Sequence, residues 1–208
     1  MVNRLISGFA DFRNEFFEDD SIFFSRLVSR GQTPETMVIS CSDSRVDPAI
    51  LFNTRPGELF MVRNVANLVP PYAPDDGHHG VSAAIEFGVK DLKVKHIIIL
   101  GHAHCGGISA LCKHCLEEPL SDRDFVNSWI QIARPAMDKI GNITTIEEAQ
   151  HPAEQASIAH SLRNLESFPW VRQAIIDNRL AIHGWWFDMD DGTLWTYDSN
   201  ADTFHKHV

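Results

Sequence analysis

Hydrophobic positions in the first thirty residues recur at helical spacing. Phe9, Phe12, Phe16 and Phe17 are separated by acidic residues, and Ile22, Phe23, Leu27 and Val28 repeat the pattern. The segment 31–34, Gly-Gln-Thr-Pro, breaks the run. The periodicity therefore predicts a helical arm over 1–33 ahead of a core over 34–208. So many exposed phenylalanines suit either packing on the arm's own domain or burial against a partner subunit.

Beyond the break the period changes. Met37-Val38-Ile39 reads as a short buried strand running into Ser40-Cys41, and Leu59-Phe60-Met61-Val62 as a second. The segment 94–100 ends in four consecutive aliphatic residues, Ile97-Ile98-Ile99-Leu100, and reads as a strand buried on both faces. Helices are predicted over 79–89, 106–115, 122–140 with a kink at Pro135, 145–165 and 170–178. The fourth of these opens on a capping pattern, Thr144 and Thr145 followed by Glu147 and Glu148. Two last strands, 181–187 and 193–197, flank Asp191-Gly192, a hairpin signal. Strands that alternate with helices imply an α/β fold: a central, mainly parallel β-sheet flanked by helices, with an N-terminal helical arm and a C-terminal antiparallel edge. Sheets of this kind hold their sites beyond the carboxyl ends of the strands.

Composition narrows the function. A length of 208 residues suits one domain with its arm, and a net charge of −10 argues against nucleic-acid and anionic-membrane partners, which need a basic patch. No apolar run approaches the ~20 residues that cross a bilayer. The first eight residues lack the apolar stretch of a signal peptide, so a cytoplasmic location is expected. In that setting the four cysteines, Cys41, Cys105, Cys112 and Cys115, are expected to be metal ligands or free thiols rather than disulfides.

Two predicted strands end in metal-ligating residue types. One runs into Cys41-Ser42-Asp43-Ser44-Arg45, the other into His102-Ala103-His104-Cys105-Gly106-Gly107. If these strands are neighbours, Cys41, His102 and Cys105 converge at one sheet edge. Two thiolates and an imidazole fill three of the four positions zinc prefers, and an open fourth position is the catalytic pattern. Asp43 stands two residues past Cys41, and Arg45 two further, placed to hold the Asp43 carboxylate by two hydrogen bonds. Held so, Asp43 stays ionised and can accept a hydrogen bond from hydroxide on zinc. Alternatively it swings in as the fourth ligand. Either half alone has a bland explanation, as a buried small cysteine or an ordinary turn. The two halves together, each following a strand, favour zinc. Gly106 and Gly107, at a predicted helix start, are candidate substrate contacts through their backbone amides.

The paired motifs resemble the signature of the β-carbonic anhydrases. The similarity extends through Arg63-Asn64-Val65-Ala66-Asn67, Ser82-Ala83-Ala84-Ile85-Glu86-Phe87 and His183-Gly184-Trp185, so it spans 36–198. The resemblance implies a single domain that binds one zinc ion per chain through Cys41, His102 and Cys105, with Asp43 and Arg45 as a catalytic dyad. It implies reversible hydration of carbon dioxide to bicarbonate and a proton by attack of zinc-bound hydroxide. It also implies an arm that wraps a partner in a homodimer, with tetramers possible. One branch of the family has a non-catalytic bicarbonate pocket that locks the aspartate onto zinc. Here Val38, Ser40 and Phe187 replace most of that pocket, while Arg63 is kept. Two other functions stay open: hydrolysis of carbonyl sulfide or carbon disulfide on the same scaffold, and non-catalytic zinc binding. The dyad argues against the latter, since structural zinc needs none.

The remaining candidates favour plainer roles. His78-His79 reads as a helix cap or surface pair over a proton shuttle. Cys112 and Cys115 read as unligated thiols over a second metal or redox site. His205 and His207 are taken as tail residues, and Trp185 and Trp186 as core or interface aromatics.

Overall fold

The computed structural model describes residues 1–116, 122–141 and 143–208. The arm consists of α1 (Val2–Arg13), a π-helical turn over Asn14–Asp19 and α2 (Ser21–Arg30). The π turn was not anticipated. Asp20 ends it and caps α2, its carboxylate accepting from the Phe23 amide at 3.3 Å. Six phenylalanines, Phe9, Phe12, Phe16, Phe17, Phe23 and Phe24, stack among themselves along the arm. The arm touches its own core mainly through Arg55, which pairs with Asp20 at 3.0 Å and lies 3.8 Å over the Phe23 ring. α1 buries no residue, and Leu5, Ile6 and Phe9 remain about two-thirds exposed.

Six strands form one sheet. In chain order they are β1 (Thr36–Cys41), β2 (Leu59–Asn64), β3 (His96–His102), β4 (Ala181–Asp188), β5 (Thr193–Asp198) and β6 (Thr203–Lys206). They lie in the order β2-β1-β3-β4-β5-β6. The first four are parallel, and β5 and β6 turn back antiparallel. The expected α/β architecture with an antiparallel C-terminal edge is thus present. β6 was not expected: His205 is no tail residue but pairs with Thr196 inside this strand.

Helices cover the sheet. α3 (Pro48–Leu51), a single turn absent from the prediction, follows β1. α4 (Gly80–Glu86) runs into a π turn over Phe87–Asp91. α5 (Gly106–Leu116) follows β3, and α6 (Val126–Ile130), α7 (Arg134–Met137), α8 (Ile146–Glu166) and α9 (Pro169–Ile176) follow in turn. The single kinked helix expected over 122–140 is instead two short helices joined by a 3₁₀ turn at Gln131–Ala133. Pro135 explains the break: it lacks the amide a continuing helix needs and sits in the first turn of α7, where that absence costs nothing. α8 starts as predicted, with Thr145 Oγ1 accepting from the Glu148 amide.

Alternation within the strands divides the core. Met37 and Ile39 of β1 and Ile97 and Ile99 of β3 meet Ile85 of α4, Ile158 and Leu162 of α8 and Val171 of α9. Val38, Ile98 and Leu100 face the other way, toward Phe52, Trp185 and Phe187. Trp186 is fully buried and Trp185 stacks edge-on against Phe52 at 5.4 Å, so both are core aromatics. Parallel pairing of β1 with β3 sets Ser40 beside Leu100, and so brings the two motif-bearing loops out at the same sheet edge.

Candidate active site

Cys41 is the last residue of β1, His102 the last of β3, and Cys105 the residue before α5. Their ligand atoms all lie within 4.8 Å of one another, and all three side chains are buried. The sulfurs are 3.9 Å apart. Two zinc–sulfur bonds of about 2.3 Å at a tetrahedral angle would place them about 3.8 Å apart. His102 Nδ1 lies 2.7 Å from the Ala103 carbonyl. A carbonyl can only accept, so this nitrogen carries the proton and Nε2 offers its lone pair to the thiols. Nε2 is itself buried with no hydrogen-bond partner. A buried, oriented, unpartnered lone pair facing two sulfurs at chelating distance is what a zinc ion requires.

The protein favours negative charge on Cys41. Cys105 hydrogen-bonds to Cys41 and, against the effect of burial, helps pull the Cys41 thiol down to about 4, with the amides of Asp43 and Ala66 also pointing at that sulfur. The same contact, together with burial, pushes Cys105 upward, so without metal the pair holds one proton between them. A dication in that position takes the proton's place. Amides of Ile108 and Gly107 point at Cys105 Sγ. Only glycine fits at 107, because a Cβ there would lie 2.8 Å from Val65 Cγ1 and 2.9 Å from Ala66 Cβ.

Asp43 sits beside the cluster, its Oδ2 4.0 Å from His102 Nε2. Arg45 grips it by two side-chain hydrogen bonds, Nη2 to Oδ2 at 2.7 Å and Nε to Oδ1 at 3.0 Å, and the Arg45 amide adds a third at 2.9 Å. The guanidinium, more than any other group, holds the Asp43 carboxyl far below the usual carboxylate range. Arg45 also donates to the His104 carbonyl at 3.2 Å. His104 occupies the left-handed region with φ 57°, and its Nε2 lies 2.9 Å from both Asp190 carboxylate oxygens. The β4–β5 turn thereby braces the loop that carries Arg45's third acceptor. Arg63 is fully engaged elsewhere, donating to the carbonyls of Cys41, Asp43 and Val46 and pairing with Asp47.

Sequence reasoning missed Glu154. It is 3% exposed in the middle of α8, and its Oε1 accepts from the Cys105 amide at 2.9 Å and from Gln150 at 3.1 Å. Its Oε2 accepts from Trp186 Nε1 at 3.3 Å. Burial raises its pKa. A helical wheel contains the signal, since Glu154 falls on the stripe of Ala153, Ser157, Ile158 and Ser161 that faces the core. An acidic residue there must be anchored, and it anchors the backbone of a cysteine in the site. The weaker candidates lie as follows. His79 stands at the start of α4 and pairs with Asp75 at 2.6 Å. Cys112 is buried against Met137, and Cys115 is a half-buried free thiol.

Residues 36–194 match the family model described as carbonic anhydrase. Over 202 residues, 95% of this chain and 78% of the relative, the chain is 37% identical to β-carbonic anhydrase 3 of Arabidopsis thaliana. The chain belongs to the β-carbonic anhydrase family. The solved structure of the β-carbonic anhydrase CcaA superposes with a TM-score of 0.86 at 31% identity, covering all of this chain and 92% of that one. A tetrameric β-carbonic anhydrase from the filamentous ascomycete Sordaria macrospora superposes with a TM-score of 0.80 at 28% identity, covering 94% and 95%. As a β-carbonic anhydrase the chain is a zinc-dependent lyase that interconverts carbon dioxide and bicarbonate.

Proposed function

We propose that Cys41, His102 and Cys105 hold the zinc ion and that Asp43, positioned by Arg45, is the acceptor that orients the attacking hydroxide. When bound, zinc supplies a Lewis acid that lowers the pKa of a coordinated water to about 7. The observation that carries the reading is the Asp43 carboxylate, gripped by Arg45 on both oxygens and 4.0 Å from His102 Nε2. Ionised, Asp43 can only accept. It therefore takes the O–H of hydroxide as a hydrogen bond and turns an oxygen lone pair toward the substrate carbon. With zinc held there, attack would form one carbon–oxygen bond as one C=O π bond of carbon dioxide opens onto its oxygen, giving bicarbonate, and the proton lost earlier from water would pass to solvent. The buried Cys41 and Cys105 side chains exclude water from behind the site, and Glu154 fixes the Cys105 backbone.

Gly106 and Gly107 remain our candidates for substrate contacts at the head of α5, with the Gly107 amide partly engaged by the Cys105 sulfur. We also place Asp43 on Arg45, not on the metal, in the resting enzyme near neutral pH. Val38 and Phe187 carry no polar atom that could compensate Arg45 for a lost carboxylate, and Arg63 is already engaged by three carbonyls and Asp47. Stopped-flow measurement of carbon dioxide hydration by the zinc-loaded protein tests the reading, with carbonyl sulfide and carbon disulfide as rival substrates. Faster turnover of either sulfur compound would overturn carbon dioxide as the substrate, and absence of all three activities would leave zinc without a catalytic role.

Further, we infer a homodimer with 1–33 as its arm and 34–208 as its core. The exposed Leu5, Ile6 and Phe9 of α1 support this, because that apolar face stays about two-thirds open to solvent. Sedimentation at micromolar concentration should show no active monomer; a folded, active one refutes the arm's role. No helix among the described residues is long and apolar enough to cross a membrane, and cytoplasmic is our reading of the compartment.

A further inference from the structure

At the end of the sheet opposite the active site, two histidines face each other across neighbouring strands. His96 opens β3, and His183 lies in β4 opposite Ile98, two positions on from the residue that pairs with His96. Period-two alternation puts both on the same face. His96 Nδ1 and His183 Nε2 are 3.2 Å apart, and the rings are tilted by 41° with centroids 5.3 Å apart. His96 is exposed and lines a groove of about 600 Å³ that reaches solvent, while His183 is half-buried beside Trp185. Strand β3 separates this pair from His102 by six residues, roughly 20 Å at about 3.3 Å per residue.

We propose that His96 Nδ1 and His183 Nε2 form a second divalent-metal site, taking a borderline transition ion such as zinc. The argument begins with nitrogen separation. Two metal–imidazole bonds of about 2.0–2.1 Å, at angles from octahedral to tetrahedral, span roughly 2.9–3.4 Å, and the observed distance falls inside that range. The second part is protonation. At this distance one ring must donate a single N–H to the lone pair of the other, so the pair already shares one proton that a metal would have to displace. Replacing that proton by a metal requires each ring to turn so that both lone pairs converge on a point beside the nitrogen–nitrogen line, with the nitrogen separation kept. Burial, helped by the charge of His96, lowers the pKa of His183 and keeps that ring available as a neutral ligand. Both rings are held by paired strands, so chelation requires no ordering of loops.

The surroundings limit the affinity. Lys93, Lys95 and Arg179 line the same groove and repel a cation. Two of these charges are already offset: Lys95 pairs with Glu35 and Arg179 with Asp177. Glu35 is also close enough to His96 for its carboxylate to feel that ring's charge. Imidazole ligation suits zinc, copper and nickel, whereas magnesium and calcium prefer oxygen.

The test is equilibrium dialysis of the zinc-loaded enzyme against excess zinc, counting metal per chain. The background protein carries H78Q, H205Q and H207Q, which breaks up the other pairs of surface imidazoles that are close in sequence. This protein should bind two zinc ions per chain near about pH 7.5. H96Q and H183Q, each added to that background, should bind one, with affinity at the second site down by about tenfold or more. The retained ion shows that each variant has folded. Excess zinc should raise the melting temperature of the background protein but not of either variant. Lowering the pH to about 5.5 should weaken the second site, since protons compete with the metal for imidazole lone pairs. The proposal fails if the background protein stays at one zinc, or if both variants still take two.

Discussion

Cys105→Ala should lose most of its zinc on dialysis against a chelator, while the parent protein keeps one ion per chain. Cysteine–histidine zinc sites bind with about 10–16 kcal/mol in all, so one ligand accounts for roughly 3–4 kcal/mol, a weakening of two orders of magnitude or more. Further losses come from the neighbours. Cys105 is the hydrogen-bond partner of Cys41 and the principal cause of its lowered pKa, so without it Cys41 is a weaker thiolate at the same pH. The fold should survive, because the change removes one buried sulfur and leaves the Cys105 amide free to donate to Glu154 as before. Elemental analysis after dialysis decides the matter. Zinc retained in full would remove Cys105 from the ligand set.

Asp43→Asn should leave zinc bound and slow carbon dioxide hydration by about a hundredfold or more, the usual consequence of losing a positioned catalytic group. The cause is directional. Arg45 presents N–H donors from Nε and Nη2 to both oxygens of Asp43, and its backbone amide presents another. An asparagine must turn its carbonyl oxygen toward these donors, which leaves its NH₂ group facing the hydroxide. The residue then donates where it should accept, and the lone pair meant for carbon dioxide is drawn away. Stopped-flow turnover near that of the parent, with zinc content unchanged, would rule out the orienting role.

These residues were legible in the sequence because of where they stand. A buried parallel strand is a run of aliphatic, mostly β-branched residues, and 97–100 is one, so its end at His102 was marked. Met37-Val38-Ile39 marked Cys41 in the same way. Adjacency of the two strands could only be assumed, since a parallel pair needs a long crossover whose course the intervening residues do not reveal. Glu154 went unnoticed because its purpose lies in a contact with an amide forty-nine residues away. The break in 122–140 and the π turns at Asn14–Asp19 and Phe87–Asp91 are small departures from helical backbone. Hydrophobic period alone does not register one extra residue per turn. β6 is only four residues long, with an exposed lysine and threonine, and is held by pairing with β5 more than by its own composition.

Pairing of β1 with β3 also dictates when the metal can arrive. Cys41 and His102 are far apart along the chain and meet only once β1 lies beside β3 in register. Closing so long a loop is the slow, late part of folding a parallel sheet. Until the sheet has formed, the set of Cys41, His102 and Cys105 proposed to hold zinc is incomplete. An ion held by all three would follow the pairing of β1 with β3. Once seated, it fastens two strands much as a crosslink would, resisting unfolding without guiding the search for the fold.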